Sequence, residues 1–128
     1  GRRNQAPYIR FRRQKNHGDE KIATVQRYLE KNLTRRTSVV SMAEMAEMVE
    51  RTFLRRFKKA TGDTPLEYMQ RLRIEAAKRL FENGETRIDL ITKAVGYEDT
   101  SSFRRLFKQI VGVSPTVYRR RYVELQGS

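Results

Sequence analysis

From residue 19 onward apolar positions recur at helical spacing, and no stretch sustains a period-two alternation, which predicts an all-α fold. Ile22, Val25, Leu29 and Leu33 fall at i, i+3, i+7 and i+11 behind Asp19, a capping residue, so a first helix starts there. After the break at Thr34-Arg35-Arg36-Thr37, Ser38 can cap a short helix that turns Val39, Met42, Ala43 and Ala46 toward a core. Met45 and Met48 extend this apolar set as core fillers. A third helix, about Glu50 to Thr61, carries Phe53, Phe57 and Ala60 on one face and stops at Gly62, a C-cap. Thr64-Pro65-Leu66-Glu67 then sets an N-cap, a Pro at N1 and a Glu at N3 in one string, the strongest helix start in the chain. The helix it opens runs through Tyr68, Leu72, Ala76 and Leu80 and is terminated by Gly84; its 19 residues from Thr64 to Glu82 give a rod of ~28 Å.

The second half repeats the first. Thr86-Arg87-Ile88-Asp89 opens a short helix with Ile88, Ile91 and Val95 inward, Gly96-Tyr97-Glu98-Asp99 turns, and Thr100 to Val111 is helical with Phe103, Phe107 and Ile110 on one face. Gly112 ends it, and Ser114-Pro115 opens a last helix carrying Val117, Tyr118 and Tyr122. Shifting the chain by 50 residues aligns Phe53 with Phe103, Arg55 with Arg105, Phe57 with Phe107 and Lys58 with Lys108, then Gly62 with Gly112, Pro65 with Pro115, Tyr68 with Tyr118 and Arg71 with Arg121. The unit is a short helix, a turn and a second helix, followed by a capped supporting helix. Seven helices are therefore expected, forming two helix-turn-helix subdomains at about 19–62 and 86–122, joined by the long central helix at about 64–83.

The second helix of such a unit can enter a DNA major groove while its apolar face holds to the domain. Burying Phe53, Phe57 and Ala60 leaves Arg51, Leu54, Arg55 and Lys58 on the opposite stripe; burying Phe103, Phe107 and Ile110 leaves Ser101, Arg104, Arg105 and Lys108. Arginine can bond guanine O6 and N7 bidentately, so Arg55 and Arg105, at matched positions, are the preferred base readers. Arg56, Lys58, Lys59 and Lys108 are assigned to phosphates, which supply affinity without sequence information.

Composition agrees with a polyanion partner. Lys and Arg number 28 against 15 Asp and Glu in 128 residues, a formal net charge of +13, and such a surface seeks polyanions. Residues 1–18 are basic without apolar periodicity and are expected to be a tail or interdomain linker, in which Tyr8, Ile9 and Phe11 either mark a connection to another domain or pack on this one. No cysteine is present and His17 is the sole histidine, beside Gly18 in a turn, so neither a thiol nucleophile, a Cys-ligated zinc nor a His-based triad is supported. The carboxylates lie among Lys and Arg at helical spacing and no phosphate-cradling glycine motif occurs. The expectation is a non-enzyme with no catalytic residue, cofactor or metal. No apolar run approaches the ~20 residues of a membrane span, so a cytoplasmic protein without a membrane partner is expected. The alternative function is a nonspecific basic nucleic-acid-binding module; the register of the duplicated Phe-x-Arg-x-Phe-Lys units argues against it, because charge alone needs no such register.

Arg55-Arg56-Phe57-Lys58-Lys59-Ala60-Thr61-Gly62-Asp63-Thr64-Pro65-Leu66-Glu67-Tyr68 and Val95-Gly96-Tyr97-Glu98-Asp99-Thr100-Ser101-Ser102-Phe103-Arg104-Arg105-Leu106-Phe107-Lys108 carry a resemblance. From about Asp19 to Tyr122 the chain resembles the C-terminal DNA-binding domain of AraC/XylS-type bacterial transcription regulators. The resemblance implies seven helices in two helix-turn-helix units that enter successive major grooves. By motif position it implies base contacts from Arg51, Leu54 and Arg55 and from Thr100, Ser101, Arg104 and Arg105. It also implies an asymmetric double-stranded operator, RNA polymerase as partner of a full-length activator, a separate effector or dimerisation domain, and a place at the bacterial nucleoid. Three residues depart from the family pattern: Glu47 where the first turn usually has Gly, Val49 where a Ser usually caps the recognition helix, and Thr92 where a small Ala is usual.

Overall fold

The computed structural model describes residues 18–127, with side chains as far as Tyr122. Among the described residues are seven helices and no strand: α1 (Glu20–Lys31), α2 (Val39–Met45), α3 (Glu50–Thr61), α4 (Pro65–Glu82), α5 (Ile88–Ala94), α6 (Thr100–Val111) and α7 (Pro115–Gly127). The expected tail, with Tyr8, Ile9, Phe11 and His17, lies outside the described residues except for Gly18. The chain divides into two compact units, and the boundary between Gln70 and Arg71 falls inside α4. The first turns of the long helix therefore belong with α1–α3 and the later ones with α5–α7.

In the first unit α1 begins where the Asp19 carboxylate accepts the Ile22 N–H at 3.3 Å. It closes on Asn32, whose backbone N–H and side-chain amide both donate to the Tyr28 carbonyl, at 3.0 and 2.9 Å. The apolar series expected to run on to Leu33 is thus cut short, and Leu33 lies half-buried beyond the helix end. Ser38 caps α2 by accepting the Ser41 N–H at 3.0 Å. Ile22, Val25 and Leu29 of α1, Met42, Ala43 and Ala46 at α2, and Phe53 and Phe57 of α3 are all buried. The Phe57 ring lies 5.5 Å from Phe53 and meets Tyr68 of α4 edge-on at 5.4 Å, a geometry that the ring quadrupoles favour. The buried Tyr68 hydroxyl accepts from the Gln26 amide at 3.2 Å, and its burial pushes the phenol pKa up.

The second unit repeats this plan around Phe81, Phe103, Phe107 and Tyr118. Phe107 meets Phe81 at 5.8 Å and Tyr118 at 5.7 Å, both edge-on, and Phe103 at 5.8 Å. The Tyr118 hydroxyl donates to the Glu82 carboxylate. Glu75 and Lys78 are buried in α4 as an ion pair at 3.2 Å, with the Lys78 ammonium 5.8 Å from the Tyr118 ring centre. Desolvation pushes the Glu75 carboxyl pKa up. Thr92 is buried and donates its hydroxyl to the Ile88 carbonyl at 2.7 Å, so the side-chain oxygen is satisfied within its own helix.

The core faces of α3 and α6 differ from expectation in the same way. Thr61 and Val111 are buried where Ala60 and Ile110 were expected, and the latter two are only half-buried. The core-facing residues are thus at i, i+4 and i+8 from Phe53 and Phe103, a stripe that drifts round the helix by ~40° per step at 3.6 residues per turn. Thr61 fits this site because its hydroxyl donates back to the Phe57 carbonyl at 2.8 Å. Both helices stop on glycine: Gly62 and Gly112 have φ of 83° and 97° and donate to the Lys58 and Lys108 carbonyls. The next helix starts as its local sequence dictates. Thr64 and Glu67 exchange backbone-to-side-chain bonds of 2.8 and 3.2 Å, a complete capping box, and Ser114 accepts the Val117 N–H at 3.2 Å.

Candidate nucleic-acid interface

The two turns that deliver the recognition helices, α3 and α6, have different lengths. Before the turn the repeat runs at an offset of 49: Met48 N–H bonds the Ala43 carbonyl as Tyr97 N–H bonds that of Thr92, and Glu47 bonds Glu44 as Gly96 bonds Lys93. After it the offset is 50, with Phe53 N–H on the Val49 carbonyl and Phe103 N–H on that of Asp99. The second turn therefore holds one extra residue, Glu98, between its tyrosine and its N-cap. Glu47 stands at the Gly96 position, and both have positive φ, 57° and 95°. At the helix starts, Asp99 accepts the Ser101 N–H at 2.9 Å and the Ser102 hydroxyl, bonds that hold its carboxyl below the usual carboxylate range, the Ser102 side chain contributing most. Val49, 72% exposed, gives α3 no side-chain cap.

On α3 the heads of Arg51, Arg55, Lys58 and Lys59 are exposed and Leu54 is exposed at the edge of the same face. On α6, Ser101, Arg104, Arg105 and Lys108 are exposed and Thr100 is half-buried at the first turn. Phe53 and Phe57, and Phe103 and Phe107, are fully buried behind them. Each of these helices thus presents a basic face to solvent and an aromatic face to its own core. Among the described residues Arg51, Arg55, Arg104 and Lys108 form no salt bridge, while Lys58 lies 3.9 Å from the exposed Glu67 carboxylate. In a chain of net charge +13, such uncompensated cations repel one another until a polyanion neutralises them.

Arg56, expected to meet phosphate, has a partner within the domain. Its guanidinium makes two bonds to the Asp19 carboxylate, at 3.1 and 3.0 Å, and the side chain is partly covered. Arg56 sits ~100° round the helix from Arg55, on the flank facing the start of α1. The same carboxylate that caps α1 therefore ties α3 to it. A phosphate would have to compete with a bidentate carboxylate for this side chain, which makes Arg56 the least available of the four residues assigned to phosphates.

Two supporting residues escape sequence reasoning. The N-cap position of α5 is Arg87, which offers no capping side chain. Glu85 replaces it, accepting the Thr86 and Arg87 N–H groups at 3.0 and 2.8 Å and the Arg87 guanidinium at 3.0 and 3.1 Å. The Arg87 side chain, then its backbone N–H, lowers the Glu85 pKa to about 2. An acid two residues before its cap position matches no standard box, and a Glu-x-Arg string is the one available signal. Among the described residues no group of His, Cys, Asp and Glu is arranged to hold a metal ion, and no helix is long and apolar enough to cross a membrane.

Comparison with known proteins agrees with this geometry. The MmsAB operon regulatory protein of Pseudomonas aeruginosa is 30% identical over 123 residues, covering 96% of this chain and 39% of that protein. The RCS-specific HTH-type transcriptional activator RclR of Escherichia coli is 33% identical over 88 residues, covering 69% of this chain and 31% of that protein. The chain thus spans between about a third and two fifths of these relatives' length. Among solved structures, the DNA-binding domain of AdpA, a global transcriptional factor in complex with a target DNA, superposes with a TM-score of 0.77 at 30% identity, covering 84% of this chain and 96% of that one. The C-terminal domain of AraT, a response regulator from Geobacillus stearothermophilus, gives 0.73 at 27% identity over 79% of this chain and 84% of that one. Since the family model of a helix-turn-helix domain matches residues 42–121, well over half of the chain, this protein belongs to the helix-turn-helix family of AraC/XylS-type transcription regulators.

Proposed function

We propose that this domain binds double-stranded DNA by laying α3 and α6 each into its own major-groove segment of one asymmetric operator. The observation that carries the reading is the matched pair Arg55 and Arg105, each exposed opposite a buried phenylalanine pair on the second helix of its unit. Arg55 and Arg105 read guanine; Arg51 and Leu54, with Thr100, Ser101 and Arg104, line the remaining base edges. Lys58, Lys59 and Lys108 hold phosphates and set the register. Two similar but nonidentical units in one chain read two different boxes, so one copy of the domain fills the site. In the full-length regulator the bound domain acts as an activator that engages RNA polymerase in the cytoplasm, at the nucleoid, and effector sensing or dimerisation belongs to a separate domain.

Selection of bound duplexes from a random library tests this directly. The expected outcome is a bipartite, nonpalindromic motif bound by a single copy, with guanines under Arg55 and Arg105. Enrichment of no motif would establish the nonspecific basic module instead. A palindromic motif bound strictly by pairs of domains would overturn the tandem arrangement.

A further inference from the structure

Arg73, on the second-unit part of α4, is joined to the turn that precedes α6. Its guanidinium carbon lies 5.1 Å from the centre of the Tyr97 ring, within reach of a cation–π attraction. Its Nη1 donates to the Gly96 carbonyl at 3.5 Å, a long bond. Tyr97 in turn lies 6.1 Å from Phe103, its ring tilted by 48°, and Phe103 is fully buried on the core face of α6. A continuous set of contacts thus runs from Arg73 through the turn to the recognition helix. Among the described residues the first unit has no such device: Met48 occupies the place of Tyr97 and offers no ring, and α3 is tied by its own Arg56.

We infer that Arg73 is the positioning residue of the second recognition helix: by stacking on Tyr97 and holding the Gly96 carbonyl it fixes the turn from which α6 departs, and so aims Arg105. The inference rests on the DNA-binding reading above. Arg105 lies ~7.5 Å along the helix axis from Thr100, and a tilt of about 10° at the turn would move it by ~1 Å. A bidentate contact to guanine does not survive that displacement, since hydrogen bonds weaken steeply with distance and angle. Phosphate contacts tolerate it better, because a mobile lysine follows its target. Arg73 therefore controls specificity without touching DNA.

The test is a double-mutant cycle in the intact domain, with affinities measured on a selected duplex and on a random one. Arg105→Ala alone must weaken the selected duplex preferentially; equal losses on both would overturn the reading of α6 and this inference with it. Given that preferential loss, Arg73→Ala is expected to weaken the selected duplex about tenfold while changing the random one by less than about twofold. It should also shrink the further loss caused by Arg105→Ala, because a misaimed helix has little of that contact left to lose. Tyr97→Phe, which keeps the ring, should behave as wild type, and Tyr97→Leu should reproduce Arg73→Ala. Arg73→Lys, which keeps the cation but not the planar stack, should recover part of the loss and decides the question if Arg73→Ala does not fold. Additive losses from Arg73 and Arg105 substitutions, or a loss from Arg73→Ala that is equal on both duplexes, would overturn the positioning role while leaving the DNA-binding reading standing.

Discussion

Glu47 and Gly96 hold the same position in the two turns, both with positive φ, yet only one of them is glycine. A side chain in the left-handed region brings its Cβ against the following carbonyl, at a cost of roughly 1–2 kcal/mol. The Lys21 ammonium lies 3.7 Å from the Glu47 carboxylate, but both groups are exposed and the pair offsets little of this. Together with the uncapped Val49, it makes the first turn the less well specified of the two. Glu47→Gly is expected to stabilise the domain by about 0.5–1 kcal/mol, and Val49→Ser by about 1 kcal/mol through a new cap. Urea unfolding of the single and double variants would check both; unchanged midpoints would mean that the turn carries no strain.

The converse holds in the second unit. Gly96→Val puts a β-branched residue at φ of 95° and is expected to cost about 1–3 kcal/mol. Because this turn launches α6, binding of a selected duplex should fall with the melting temperature. A variant with wild-type melting and affinity would show that the turn accepts a side chain.

Arg56 and Lys59, both basic and both on α3, are expected to part in what they do. Arg56→Ala breaks the tie to Asp19 and is expected to lower stability by about 0.5–1 kcal/mol, the partial exposure of both groups keeping the loss small. Its salt dependence of DNA binding should match wild type. Lys59→Ala should leave stability unchanged and lower the slope of log K against log salt by ~1. The opposite pattern would make Arg56 a phosphate contact.

How much of this the chain discloses in advance depends on how local the physics is. The capping box at Thr64 and Glu67, the glycine stops at Gly62 and Gly112 and the paired phenylalanines are written within a few residues of where they act, so spacing and residue type disclose them. The Arg56–Asp19 tie spans 37 residues, and nothing local distinguishes Arg56 from Lys59. Glu75 and Lys78 look like a solvated i,i+3 pair because charge in a helix usually faces water; only tertiary packing buries them. Uniform alignment of the repeat also conceals the extra residue in the second turn, since apolar periodicity tolerates a one-residue shift in a loop.

Acid should expose the substitute cap of α5. Glu85 has its pKa lowered from 4.5 to about 2 by bonds formed in the folded state. A depressed carboxylate contributes stability that is present above the unfolded pKa and lost as pH falls through the folded one. Its increment is therefore intact above about pH 5 and declines between 4.5 and about 2. Glu85→Gln removes that titration. Melting temperatures of the two proteins should run parallel from pH 7 to about 5 and converge in more acid solution, as wild type loses what the variant never had. Parallel curves throughout would mean that Glu85 titrates alike in both states.

The proposed base readers and phosphate clamps should differ in what they lose on random DNA. Arg105 projects from the well-capped helix start at Asp99, on the face opposite Phe103 and Phe107. Arg105→Ala is expected to cost ~1–3 kcal/mol on a selected duplex and much less on a random one. Lys108, one turn further along the same face, is expected to meet phosphate, so Lys108→Ala should weaken all duplexes about equally and reduce the slope of log K against log salt by ~1. Arg55→Ala should follow Arg105→Ala in kind but with a smaller loss, because Val49 leaves α3 without a side-chain cap and its aim is less firmly held. Titrations of the three variants on both duplexes at several salt concentrations distinguish these outcomes. Equal losses on the two duplexes for Arg105→Ala would make its contribution one of charge alone, and an Arg55 loss as large as that of Arg105 would mean that the missing cap does not loosen the first reader.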